Sequence, residues 1–447
     1  DFRAVFRTGV CFAGDKQKKD RMGRQAARPI VCGLALRRVV GRVIATQMRV
    51  AWTTGLAMFR SVMGVPAGIE IGHNVVKGWI SAMEQDVDQQ DEQDVGDLPV
   101  AIQVDFENGY NSAKRSVMLE NCKLLFPKVY RYVRLLYAED GQLVCLHKGE
   151  VVRRVASVEG SWQGDPLGYF CFQLGILQLM RAVQDKLRPW QTLRGSRDGW
   201  GGNIWIADDL TAVVRRRHTL EFVRWLQAEA PKHGMVPSFG KNAAYLPGGT
   251  AFVPVRGATQ DRPSTETPHL ERALQELGFA TSNAGLERYI GAPIGSNAFC
   301  AADGGHIERV LVAAETAIKQ VTGRIVHSQA QYLLLRFCSS TRLNHLSRLS
   351  APSVLLGVAT RFQTALLEAF ESILAAGSTR PTLNYYGKQR VHLPTTEGGG
   401  GLVGILATRG PAYIAGCGGS VLFLKHSNWP ESQELMAAIT GRPALRA

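Results

Sequence analysis

Three carboxylates in this sequence have the type and setting that phosphoryl chemistry needs. Asp105 follows Val100, Ile102 and Val104 in VAIQVDFENGY, a period-two pattern that predicts a strand with the acid at its C-terminal end. Asp208 and Asp209 interrupt two apolar arms in NIWIADDLTAVV, which predicts a hairpin with both acids at its bend. Taken singly, an acid at a strand end is commonly solvated and a DD pair is commonly a turn. Brought within about 4 Å of one another, partly desolvated carboxylates repel strongly, so a cluster of them suits a site that holds divalent cations. Oxygen-only ligands favour Mg²⁺ or Mn²⁺. Two such ions, about 3.5–4 Å apart, activate an attacking hydroxyl and neutralise a leaving phosphate, which is nucleotidyl transfer.

Other elements must hold these acids in place. Gly164, Asp165 and Pro166 precede YFCFQLGILQLMRAVQDKL, apolar enough for one buried helix whose start Pro166 helps set, with Asp165 near its positive end. HTLEFVRWLQAEAPKHG reads as another helix. From RPIVCGLALRRVVGRVIATQMRVAWTTGLAMF, starting at Arg28, apolar residues recur at helical spacing with arginines between them, predicting a basic amphipathic helix. Residues 83–97 carry seven acids, no base and no apolar period, which predicts an exposed loop. From residue 300 the pattern is mostly helical until glycine and proline return near TTEGGGGLVG, and no repeat period emerges.

The chain of 447 residues is long enough for two or three compact units, and its 45% hydrophobic and 20% charged residues are ordinary for a globular protein. Its net charge of +14 is unevenly spread: residues 1–60 hold 13 Lys and Arg against 3 Asp. A polyanion partner follows from that asymmetry, with a solvated basic surface or a membrane surface as the other readings. No uninterrupted apolar run reaches the ~20 residues of a spanning helix, and Arg409, Pro411 and several glycines break up 401–424. The eight cysteines stand apart, with no CxxC pair, so reduced thiols and no zinc are expected. The chain begins at Asp1 in the middle of a basic segment, and a fragment of a longer protein is expected.

The succession of strand acid, QGDP before a helix, hairpin DD and then Lys241 resembles the palm of reverse transcriptases, most closely those of non-LTR, LINE-type retrotransposons. RPIVCGLALRRVVGRVIA at 28–45 is similar to the fingers motif of that family, and 105–112 to its first palm motif. GSWQGDPLG at 160–168, IADD at 206–209 and HGMVPSFGKN at 233–242 are similar to the next three, and YIGAPIGS at 289–296 to the primer grip. LLLRFCSSTRLNHLSRL and LPTTEGGGGLVGILATRGPAYIAG resemble thumb and post-thumb segments.

The resemblance implies an α+β right-hand polymerase. Fingers and palm would interleave over 1–298, with the palm on an antiparallel sheet, followed by a helical thumb over 299–375 and an α-helical C-terminal extension over 376–447. It implies that Asp105, Asp208 and Asp209 hold two Mg²⁺ ions, or Mn²⁺, with the Phe106 carbonyl as a further ligand. Tyr110 would be the steric gate that rejects a 2′-hydroxyl. Gln163 and Gly164 would lie against the incoming nucleotide and the template base, and Asp165 would cap the following helix. Arg28 would grip the triphosphate, assisted by one of Lys16, Lys18 and Lys19, and Lys241 would protonate the departing pyrophosphate. Implied partners are an RNA template, a DNA primer and deoxynucleoside triphosphates, with no membrane, and with further retroelement domains upstream. An intracellular location is implied, in the nucleus if copying is primed at the target. Ile206 departs from the aromatic residue usual before Ala-Asp-Asp, with Trp205 as a partial substitute; Lys114 stands where an acid is common, and Trp162 is bulky beside Gln163. The alternative is a decayed or repurposed reverse-transcriptase fold that binds RNA without copying it.

Overall fold

The structure, a computed structural model, describes residues 6–19, 25–87, 98–148, 150–190, 202–247, 266–375 and 382–446. It is a mixed α+β protein that divides into two compact units. Asp1–Gly68, Gln90–Ala244 and Val255–Thr281 form the first, and Ile69–Gln89, Tyr245–Pro254 and Ser282–Ala447 the second.

In the first unit the strands, with the helices that bear on the site, follow in chain order. They are β1 Thr8–Lys19, β2 Gln25–Gly33, helix α1 Ala35–Ala57, β3 Pro99–Val104, β4 Gly141–His147, β5 Glu150–Ser157, helix α2 Gly168–Gly175, helix α3 Leu177–Leu187, β6 Gly202–Ile206, β7 Asp209–Arg215, helix α4 Arg216–Glu229, β8 Asn242–Tyr245 and β9 Phe279–Ser282. One sheet has the order β2-β1-β4-β5, with β1 running parallel to β4. The other has the order β6-β7-β3-β8-β9, with β6–β7 and β7–β3 antiparallel. β3 lies centrally in that second sheet, and Val100, Ala101, Ile102 and Val104 are all fully buried. A strand covered on both faces reads as continuous rather than alternating burial.

Two sequence expectations change here. The stretch from Arg28 is not helical at its start: Arg28 through Gly33 belong to β2, paired with β1 from Gly14–Arg28 to Gly9–Gly33, and the helix begins at Ala35. Pro29 lacks an N–H and disfavours helical backbone at residue 28, and β-branched Ile30 and Val31 suit a pleated surface, so helical spacing was outweighed by local chemistry and strand pairing. The predicted single helix after Pro166 is two, α2 and α3, parted at Ile176 just after Gly175, whose flexibility makes helix propagation costly. Their apolar residues still form one core: Phe170 stacks on Trp52 of α1 with ring centroids 4.2 Å apart and meets Phe126 edge-on at 5.1 Å.

The second unit is mainly helical. Its core gathers Ile307, Leu311, Ala314 and Ile318 from the helix His306–Arg324 with Phe362 and Leu366 from the helix Leu356–Ala375, positions spaced at three and four residues as an amphipathic face requires. The YIGAPIGS segment supplies the turn and second strand of a two-stranded hairpin, Gly285–Tyr289 against Ala292–Gly295. The helix Gly68–Val87 belongs largely to this unit, fixed by Arg442, which donates to Asn74 Oδ1 at 2.5 Å and Asn74 O at 3.0 Å. It continues through Val87, so the expected acidic loop is helical over 83–87, good helix formers such as Met83, Glu84 and Gln85 sustaining it; 88–97 lie outside the described residues. Likewise Ile405–His426 is a continuous helix of 22 residues with Pro411 inside it. Among the described residues no helix is long and apolar enough to cross a membrane.

Candidate active site

The acids converge because of strand register. β3 pairs antiparallel with β7 from Pro99–Arg215 to Val104–Leu210, so the next residue, Asp105, leaves its strand opposite Asp209. Ile206 pairs with Asp209 across the β6–β7 hairpin, leaving Ala207 and Asp208 as its two-residue turn. Ala207 there has φ +56°, in the left-handed region that costs a side chain about 1–2 kcal/mol. The first acidic segment also closes on this turn. A methyl group on Gly109 would stand 3.2 Å from Asp208 Cβ and 3.1 Å from Met235 Cε, a tight fit that would oblige those neighbours to shift.

Asp105 is pinned by its backbone. Asn242 Oδ1 accepts its N–H at 3.0 Å, and its carbonyl accepts the Ser238 N–H at 2.7 Å. Both partners come from the HGMVPSFGKN stretch, which thereby fixes the acid as well as presenting Lys241. The Lys241 ammonium lies 2.8 Å from Asp105 Oδ2, both side chains being partly open to solvent.

Burial first, and then the carboxylates of Asp208 and Asp105, push Asp209 up to about 7, with Lys241 pulling the other way. Like charges held together in this way are what a divalent cation relieves. Three carboxylates and a backbone carbonyl are hard oxygen donors, so in donor chemistry the residues fit Mg²⁺ or Mn²⁺. Among the described residues no three His, Cys, Asp or Glu side chains stand at metal-ligand spacing, and one Asp105 oxygen is turned to Lys241.

Of the other expected residues, Phe106 and Tyr110 lie at this corner, whereas Gln163 and Gly164 pack against β2. Phe106 forms an isolated bridge with Pro237 through the Glu107 N–H to Val236 O and the Ser238 N–H to Asp105 O, a pattern in which the Phe106 carbonyl takes no part. Its ring is buried, stacked on Trp205 at 6.0 Å. The Tyr110 ring stacks on Phe172 of α2 at 4.6 Å, nearly parallel at 15°. Burial first, then Asp208, raises its hydroxyl to about 12, consistent with a phenol facing the acids from the side of the aromatic core. Gln163 O accepts the Val31 N–H of β2 at 2.8 Å. Gly164 has φ +116°, and a Cβ there would lie 2.8 Å from Val31 O, so the backbone is pressed against β2.

Asp165 departs from its expected role. Its Oδ1 does accept the Leu167 N–H at 2.9 Å ahead of α2, but its Oδ2 is 2.5 Å from Arg37 Nε in a fully buried ion pair. Burial of a carboxylate this complete demands a charged partner, and the following helix alone supplies none. Arg28 lies in β2, but its side chain and those of Lys16, Lys18 and Lys19 lie outside the described residues. Trp205 does not stand in for an aromatic residue at 206: successive strand residues point to opposite faces, and Trp205 is packed in the core on Phe106. Lys114 donates to Lys232 O at 2.6 Å.

Sequence reasoning missed Gln173, Asn242 and Arg37. Gln173 is fully buried in α2; its Oε1 accepts the Ser61 hydroxyl at 2.5 Å and its Nε2 donates to the Ala207 carbonyl at 2.9 Å, bracing the turn that carries Asp208. The signal was present as an amide among the apolar residues of YFCFQLG, at the start of the run that continues to Met180. A buried amide must be satisfied, although the run does not say by whom.

No family model matches the chain, and no curated protein matches it. Among solved structures it is similar to the apo telomerase of Candida tropicalis at 12% identity, covering 97% of this chain and 69% of that one, with a TM-score of 0.42. The telomerase of Candida albicans, in complex with a TWJ fragment of telomeric RNA, is similar at 11% identity over 97% of this chain and 63% of that one, with a TM-score of 0.45. A C. tropicalis telomerase truncated from its C-terminal domain is similar at 12% identity over 54% of this chain, with a TM-score of 0.38, and this chain spans half of its length.

Proposed function

We propose that the chain is an RNA-directed DNA polymerase of the non-LTR retroelement kind, which adds deoxynucleotides to a primer 3′-hydroxyl. One observation carries this: the β3–β7 register that brings Asp105 opposite Asp209, next to the Ala207–Asp208 turn. In this proposal the β6-β7-β3-β8-β9 sheet is the palm and the β2-β1-β4-β5 sheet belongs to the fingers. The thumb is 299–375 and the extension 376–447. When bound by Asp105, Asp208, Asp209 and the Phe106 carbonyl, two Mg²⁺ or Mn²⁺ ions supply charge neutralisation and activation of the primer hydroxyl.

The chain's own residues do the rest. The Tyr110 ring, held flat on Phe172, presents a rigid aromatic wall where the sugar would lie and excludes a 2′-hydroxyl. The Gln163–Gly164 backbone, pressed on β2 because 164 has no side chain, is the surface on which base and nucleotide would lie. The Lys241 ammonium, beside the acids, can transfer a proton from Nζ to departing pyrophosphate. The basic segments take phosphate contacts, each adding about one unit of salt dependence to RNA binding. The test is primer extension on an RNA template with Mg²⁺ or Mn²⁺, comparing the wild type with Asp208→Ala; equal extension by both refutes the proposal.

The Lys241–Asp105 ion pair favours one other reading, a repurposed fold in which an ammonium replaces the metal and RNA is bound but not copied. Salt-sensitive RNA binding without nucleotide incorporation under either metal would select it.

A further inference from the structure

We propose that Arg37 is a positioning residue for the incoming nucleotide, acting through its buried ion pair with Asp165 to hold the Gln163–Gly164 backbone in place. This rests on the polymerase reading above. Arg37 is fully buried on α1, and its guanidinium is used on every side. Nε meets Asp165 Oδ2 at 2.5 Å, Nη1 donates to Phe6 O at 2.5 Å, and Nη2 donates to Tyr137 Oη at 3.0 Å. The Trp162 ring lies 3.7 Å from its Cζ. Trp162, bulky where its neighbour is to face a nucleotide, thus packs away from that nucleotide and onto the arginine. Its indole donates to Ser157 Oγ at 3.0 Å and its backbone N–H to Tyr137 Oη at 3.3 Å.

The loop from Gly160 to Gly168 is therefore gripped at both flanks of Gln163–Gly164, by Trp162 on one side and Asp165 on the other. Two of its backbone bonds run to the elements that would flank a nucleotide, while Gly160 N–H donates to Ala113 O at 3.0 Å and Asp165 and Gly168 N–H donate within the loop. Ser161 N–H donates to Tyr110 O at 2.7 Å, and Gln163 O receives the Val31 N–H at 2.8 Å. Sliding of the loop would uncouple Gly164 from β2 and Ser161 from Tyr110 alike, and loss of contacts made equally before and during reaction raises KM while leaving kcat nearly unchanged. A buried ion pair is weak support for stability, because well-packed apolar residues can serve as well. A planar fork with three fixed acceptors specifies geometry in a way that apolar packing does not.

The test uses the full chain on an RNA template–DNA primer duplex and measures KM for the deoxynucleotide, kcat, template–primer affinity and thermal unfolding. Arg37→Lys keeps the charge but loses the fork, Asp165→Asn keeps shape but loses the pair, and Tyr137→Phe keeps the ring and volume while removing one arm. Arg37→Lys and Asp165→Asn should raise the nucleotide KM by about tenfold or more, and Tyr137→Phe by about threefold, with kcat and template–primer affinity changed less than about threefold. If any of these folded variants loses melting temperature while its nucleotide KM stays at the wild-type value, the pair is only structural and the proposal is overturned. Should Arg37→Lys and Asp165→Asn fail to fold, Tyr137→Phe decides alone. A wild type that does not extend at all removes the polymerase reading itself, and the proposal with it, an outcome distinct from active variants with unchanged KM.

Discussion

Replacing Asp209 with asparagine should make the protein more stable at alkaline pH while abolishing its proposed chemistry. The folded state holds the Asp209 carboxyl at about 7, against about 3.9 in an unfolded chain. Between those values the folded state binds more protons than the unfolded one, so stability falls as pH rises through that window, and the penalty is fully present above pH ~7. At ~1.4 kcal/mol per pH unit the whole span is worth about 4 kcal/mol, and the part lying between pH 5 and 8 about 2.7 kcal/mol. Part of Asp209 reaches solvent, which screens the interaction and lowers the expected gain to about 1 kcal/mol. Asparagine has the same shape and no charge, so it lacks this pH-dependent loss. Urea unfolding of both proteins at pH 5 and pH 8, without divalent cations, should show the variant gaining on the wild type by about 1 kcal/mol as pH rises. Adding Mg²⁺ at pH 8 should then stabilise the wild type more than the variant, because a cation held by ionised carboxylates binds only the folded chain. A stability difference that stays flat from pH 5 to pH 8 would refute the claim that Asp209 is forced to ionise beside two other acids.

Gln173→Leu should strand the Ala207 carbonyl and the Ser61 hydroxyl without their partner, costing about 2–4 kcal/mol in urea unfolding and lowering primer extension as the Asp208 turn loosens. Gly164→Ala meets both a positive φ and a carbonyl 2.8 Å away, and should cost about 2 kcal/mol or more, read as a lower denaturant midpoint and a lost extension product. Ala207→Gly relieves a backbone held at φ +56° and should raise the denaturant midpoint by the equivalent of about 0.5 kcal/mol, after glycine's own entropic cost.

Much of the site could be read from sequence, because its signals are local. The period-two run before Asp105 and the apolar arms around Asp208–Asp209 state where a strand ends and where a hairpin bends, and the structure has β3 end at Val104 and the turn at Ala207–Asp208. The stretch from Arg28 to Gly33 was misread because helical spacing and strand chemistry coexist in RPIVCG, and pairing with β1, remote from the local pattern, settled it as strand.

The sequence by itself determined which residues carry charge and where the strand before Asp105 ends and the hairpin beside Asp208 bends. Only the tertiary structure decided the partners: Arg37 for Asp165, Asn242 for the Asp105 backbone, Lys241 for its carboxylate, and Gln173 for the Ala207 turn. Buried charges and amides must be satisfied, and that demand is visible in the residue type. Which group satisfies them depends on contacts between segments far apart in the chain, set by how β3 registers on β7 and how α1 and α2 pack, and no local pattern encodes those distances.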